Sequence, residues 1–105
     1  MKIVRVTYTI DAGYVSQNSS NIQHVMSDLR QHNNPGINYN ACLGADGKTF
    51  THTAFFHTDE DQMLLNALAS FKHFQEQLKA NGFEKPPVQE LITLVDSSVP
   101  LFPGI

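Results

Sequence analysis

The spacing of apolar residues passes twice from a two-residue to a helical period and back, which divides the chain into two strand-helix-strand halves. Lys2 to Ile10 alternates, with Val4, Val6, Tyr8 and Ile10 on one side and Ile3, Arg5, Thr7 and Thr9 on the other. β-Branched residues dominate this run, so it reads as a strand. Asp11-Ala12-Gly13 interrupts it, and Asp11 is placed to cap the next helix. From about Tyr14 to His32 the period lengthens, and Val15, Ile22, Val25, Met26 and Leu29 share one helical face. The polar run Ser16 to Asn21 has poor helix propensity and predicts irregular first turns. Asn33-Asn34-Pro35-Gly36 stops the helix, because Asn tolerates a left-handed cap and Pro cannot continue the turn.

Two strands come next, Ile37 to Leu43 and Thr49 to His57, joined through an Asp46-Gly47 step that suits a tight hairpin. Thr58 or Asp59 caps a second helix whose stripe of Leu64, Ala67, Leu68, Phe71, Phe74 and Leu78 runs to about Ala80. Asn81-Gly82 ends it, Pro86-Pro87 comes after, and Val88 to Asp96 reads as the last strand. The order β-α-β-β-α-β with right-handed crossovers is an α+β, ferredoxin-like sheet with its helices on one face. Apolar residues nevertheless occur on both strand faces, as in Ile3 beside Val4, Phe55 beside Phe56 and Leu91 beside Ile92. A sheet that is apolar on both sides but has helices for only one calls for a second sheet. The expectation is a homodimer with sheets facing each other, a dimeric α/β barrel.

Size agrees with one domain spanning residues 1–105, a core of about 1–96 and a tail of 97–105. Charged residues make up only 16% of the chain, against about 25% in an average globular sequence, which suits a protein that hides more surface than one small monomer can. Net charge is -3 and the seven Lys and Arg residues are scattered, so nothing points to nucleic acid. No stretch approaches the roughly 18 apolar residues that span a bilayer. A single Cys42, read as a small core residue, excludes an internal disulfide and suits a reducing cytoplasm.

The segment from Gly13 to Pro35-Gly36, the paired strands, Ser70-Phe71-Lys72-His73-Phe74-Gln75 and Leu91-Ile92-Thr93-Leu94-Val95 together resemble the antibiotic biosynthesis monooxygenase-like superfamily over residues 1–96. That resemblance implies a dimeric α/β barrel with a pocket between helices and sheet, closed in part by the partner. It also implies a choice between cofactor-independent oxygenation of an aromatic or quinol-type molecule and ligand binding without catalysis. The chain has no Trp, and the Asn-Trp-His set expected of the haem-degrading branch is missing.

His73 matches the position that the resemblance singles out, and an imidazole beside a pocket can take a substrate proton near neutral pH. The competing reading leaves it half exposed at the edge of the helix stripe. Asn18, Tyr39, Asn40 and His52 are polar groups near core positions and serve as candidate ligand anchors, with Phe71 and Phe74 as an aromatic lining. Most of the same residues also suit an inert core. Cofactor-free oxygenation needs only a substrate that forms a carbanion, a dry pocket and a polar anchor, so no cofactor is called for. His52 and His57 point to opposite strand faces, and His24 and His32 lie about 12 Å apart along a helix, so no metal site is read. His57-Thr58-Asp59 would need a distant third ligand such as His73. Arg5 reads as an ion-pair partner of Glu90 on a neighbouring strand. Two other classes share the strand order. A regulatory ligand-sensing module normally accompanies a further domain, and an RNA-binding module would need the charge and the glycines that Lys48 to Phe56 lacks.

Overall fold

The alternating N-terminal segment forms strand β1 (Lys2–Thr9) at the inside of a four-stranded sheet in the computed structural model, which describes residues 1–105. A short 3-10 turn (Ala12–Tyr14) leads into α1 (Val15–His32), followed by β2 (Ile37–Leu43) and β3 (Thr49–Phe56). Then come α2 (Asp59–Ala67), α3 (Ala69–Asn81) and β4 (Lys85–Ile92). The sheet order is β2-β3-β1-β4 with every neighbouring pair antiparallel, which is the expected α+β, ferredoxin-like arrangement.

Register decides which side chains meet the helices. Val4, Val6 and Tyr8 of β1 lie opposite Ala54, His52 and Phe50 of β3, and this set packs with Ile22, Val25, Phe74 and Leu78 from the helices. Burial along β3 alternates strictly, so Phe50, His52, Ala54 and Phe56 all face inward. His52 therefore occupies a core position because of strand parity, with aromatic neighbours on either side.

Local signals hold the elements in place. Asn33 adopts the left-handed conformation (φ 51°, ψ 41°) that ends α1. Gly47 has φ 73° in the β2–β3 turn, where the Asp46 carboxylate accepts from the Lys48 and Thr49 amides. Thr58 and Asp61 form a reciprocal capping box at the start of α2. Asp61 also accepts from Asn34 (2.9 Å), whose own carbonyl oxygen accepts from the Gly36 amide (2.8 Å). A β-carbon on Gly36 would collide with the Asp61 carboxylate, so the Pro35-Gly36 step locks the α1–β2 connection against the α2 cap.

Five local expectations are corrected. The polar run Ser16 to Asn21, expected to be irregular, is regular α-helix within α1. The second helix is broken at Leu68, which is extended (φ −64°, ψ 131°), and α3 restarts from there with the Lys72 amide donating to the Leu68 carbonyl. The apolar stripe continues across the break, so spacing alone reads it as one helix. β4 runs from Lys85 to Ile92, earlier at both ends than the expected Val88 to Asp96, and contains Pro86 and Pro87; an edge strand tolerates them, and the register shift between Thr7 and Thr9 absorbs the irregularity. Asp11 makes no side-chain cap and instead accepts from Asn81 at the far end of α3 (3.0 Å). Cys42 is exposed, since its parity on edge strand β2 turns it away from the helices.

The face away from the helices carries the expected Arg5–Glu90 pair (3.0 Å), half exposed and so a weak contributor. Asn38, on that same face, donates to the Leu101 carbonyl (3.2 Å), which brings the tail back across the sheet. Phe102 meets His57 edge to face, and Ile3 is buried although it lies outside the helix-side core. Val88 and Ile92 remain exposed beyond the tail. No helix is long and apolar enough to cross a membrane.

Candidate functional site

β1, β2 and β3 present Tyr8, Tyr39 and His52 to the helices, and α1 lays Asn18 over them. His52 is 5% exposed and both of its ring nitrogens meet a phenol. Tyr8 Oη lies 2.8 Å from Nε2, and Tyr39 Oη lies 2.6 Å from Nδ1. Asn18, fully buried, donates from Nδ2 to Tyr8 Oη (2.9 Å).

An inventory of protons gives the chain a direction. Tyr8 Oη already accepts from Asn18, so its own proton is best donated to His52 Nε2. A neutral imidazole with an accepting Nε2 carries its proton on Nδ1 and donates it to Tyr39 Oη. The Tyr39 hydroxyl proton is then left over at the end of the chain. Every donor points the same way, from Asn18 toward Tyr39, and aligned bonds of this kind polarise one another.

Burial keeps the chain uncharged. It pushes the His52 imidazole down to about 4, because the cation would lose its hydration. Burial also raises both the Tyr8 and Tyr39 phenols well above the ordinary tyrosine value, with the Asn18 bond opposing part of the effect at Tyr8. At neutral pH the cluster is therefore a set of oriented, neutral donors.

Two adjoining cavities, about 150 and 360 Å³, lie between α3 and the sheet. Both are lined by Val6, Tyr39, His52, Phe71, Gln75 and Gln89, so they share one wall. Aromatic rings make much of its wall. Phe74 lies 5.4 Å from the His52 ring, and Phe71 meets Tyr39 edge to face at 6.3 Å. Separately, a shallower groove of about 580 Å³ runs between α1 and β2, and Tyr39 also reaches it.

Of the residues singled out from the sequence, Asn18, Tyr39, His52, Phe71 and Phe74 are brought together. Asn40 is exposed and contributes to the α1–β2 groove only. His73 is exposed on α3 and lines neither inner cavity. No three His, Cys, Asp or Glu side chains converge as metal ligands would. Sequence reasoning missed Tyr8, the link between Asn18 and His52. Its signal was parity: Tyr8 shares the β1 face with Val4 and Val6, so a phenol sat among core positions.

No protein-family model matches the chain, and no curated protein sequence matches it. Solved structures do resemble it. An antibiotic biosynthesis monooxygenase superposes with a TM-score of 0.75 at 13% identity, over 91% of this chain and 100% of that one. A Mycobacterium tuberculosis protein gives 0.75 at 11% identity, over 93% of this chain and 98% of its own. SnoaB, a cofactor-independent oxygenase of Streptomyces nogalater, gives 0.67 at 14% identity, over 92% and 96%. With identities this low and coverage this complete, the chain shares the fold of the antibiotic biosynthesis monooxygenase-like proteins.

Proposed function

We propose that the cavity binds a planar aromatic molecule bearing a phenol or an enolisable carbonyl, and that the protein promotes its oxygenation by dioxygen without a cofactor. One observation carries this reading: a buried, neutral donor chain ends on Tyr39 at the wall of a largely apolar cavity. SnoaB, described as a cofactor-independent oxygenase, supports it at the level of a shared fold.

The direction of the chain sets the chemistry. Tyr39 donates to the ligand oxygen, and His52 Nδ1–H behind it strengthens that donation as the oxygen gains negative charge. Oriented donors that need no reorganisation stabilise an enolate more than its neutral parent. A hydrogen bond to a charged group is worth about 1.5–3 kcal/mol, so the bound ligand becomes more acidic by about 1–2 pKa units. His52 itself is too weak a base to hold the proton, which passes to water at the open mouth. The electron-rich anion then reacts with dioxygen. A methylene becomes a carbonyl carrying one oxygen atom, and the second oxygen leaves as water with the two hydrogens. In this reading the polar role falls to His52 and Tyr39, inside the cavity, while His73 is exposed and lines neither cavity.

Oxygen uptake with an anthrone-like substrate tests this. Wild-type protein is expected to exceed Tyr39→Phe and His52→Gln by at least about tenfold, as loss of one oriented donor requires. Binding with uptake no faster than the protein-free background would reduce the protein to a ligand-binding module.

The outer sheet face supports a second proposal, that two copies pair there. Val88 and Ile92 stay exposed on it while the helices cover only the opposite side. Light scattering is expected to give twice the 11.7 kDa chain mass, and a monomer mass at micromolar concentration would exclude the pairing.

A further inference from the structure

We infer that the ligand is an aromatic acid, held with its phenol or carbonyl oxygen at Tyr39 and its carboxylate at Lys79. This deepens the proposed function and rests on it. Among all residues lining the two adjoining cavities, Lys79, in the larger one, alone carries charge, since His52 is neutral and the remaining polar groups are amides and phenols. Lys79 makes no ion pair within the chain, whereas Arg5 and Lys48 are both matched with glutamates.

Its place on α3 sets the geometry. Phe71, Phe74, Gln75, Leu78 and Lys79 line the cavity along successive turns, and Phe71 packs on Tyr39. Phe71 and Lys79 are eight residues apart, about 12 Å along a helix. A ligand touching both Tyr39 and Lys79 is therefore elongated, with polar groups at opposite ends. Gln75 stands one turn before Lys79 and Gln89 faces the same space from β4, so the middle of the cavity offers neutral hydrogen bonds along the ring edges. Lys79 also lies in the last turn of α3, where the helix dipole opposes an anion. The cation is needed to reverse that preference.

Calorimetric titration with a matched pair, anthraquinone-2-carboxylate and anthraquinone-2-carboxamide, tests the inference on the full chain. At low salt the carboxylate is expected to bind wild type about fivefold more tightly than the amide. Lys79→Gln should remove that preference, cutting the carboxylate's affinity to or below that of the amide. Raising the salt concentration should shrink the wild-type preference in the same direction. Equal affinities in wild type, or a preference that survives Lys79→Gln, would overturn the acid while leaving the cavity intact, provided that Tyr39→Phe weakens both ligands. If neither molecule binds, or binding ignores Tyr39→Phe, this inference falls together with the proposed function.

Discussion

Phe74→Ala lowers the stability of the folded chain by about 3–5 kcal/mol, the cost of removing a buried phenylalanine from a packed core. Phe74 is the middle one of three residues, Ser70, Phe74 and Leu78, that α3 buries. Its ring packs against His52 and Phe71 at 5.4 and 5.9 Å, so truncation strips contacts from the cavity wall as well as from the helix. Urea unfolding should show the midpoint falling at an unchanged slope. His73→Ala, one residue away but exposed, is the control and should stay within about 0.5 kcal/mol of wild type. A loss at Phe74 below about 1 kcal/mol would mean that α3 does not rest on this ring.

Acidification from pH 7 to 5 removes about 2 kcal/mol of stability through His52 alone. The folded-state pKa of about 4 lies below the ordinary 6.5, so the unfolded chain binds a proton in a range where the native chain does not. Stability therefore rises with pH across that window, and is lost as pH falls from about 6.5 toward 4. Below about 4 both states are protonated and the loss levels off. His52→Gln cannot titrate, so the wild-type and variant curves should converge as pH falls from 7 to 5. Asp61, whose carboxyl is held below its usual range chiefly by the Asn34 amide, acts at lower pH: its stabilisation is present above the ordinary carboxylate pKa and disappears beneath it. Parallel curves for the two proteins between pH 7 and 5 would show that His52 titrates normally and is not desolvated.

The parts of the fold legible in the sequence are those encoded by neighbours along the chain. Period, caps and turns gave β1, α1, the Asp46-Gly47 hairpin and the Thr58 cap, because each depends on residues within a few positions of one another. The break at Leu68 has no proline or glycine to announce it, and the stripe from Leu64 to Leu78 runs through it unchanged. Pro86 and Pro87 look like strand breakers until β4 is known to be an edge. At the site, Asn18, Tyr39 and His52 could be flagged as polar groups in apolar surroundings. What joins them is Tyr8, 44 residues from its histidine, and that link exists only once β1 and β3 pair in register. His73 drew attention through a short motif, yet helix phase turns it to solvent.

The chain has three tyrosines and no tryptophan. Tyr8 and Tyr39 both bond the same buried imidazole, and Tyr14, at the start of α1, lies near Tyr8. Nearly all the near-ultraviolet absorption and emission of the protein therefore comes from one corner of the molecule. The native, unlabelled chain is its own optical reporter: a ligand reaching Tyr39 disturbs its principal fluorophores.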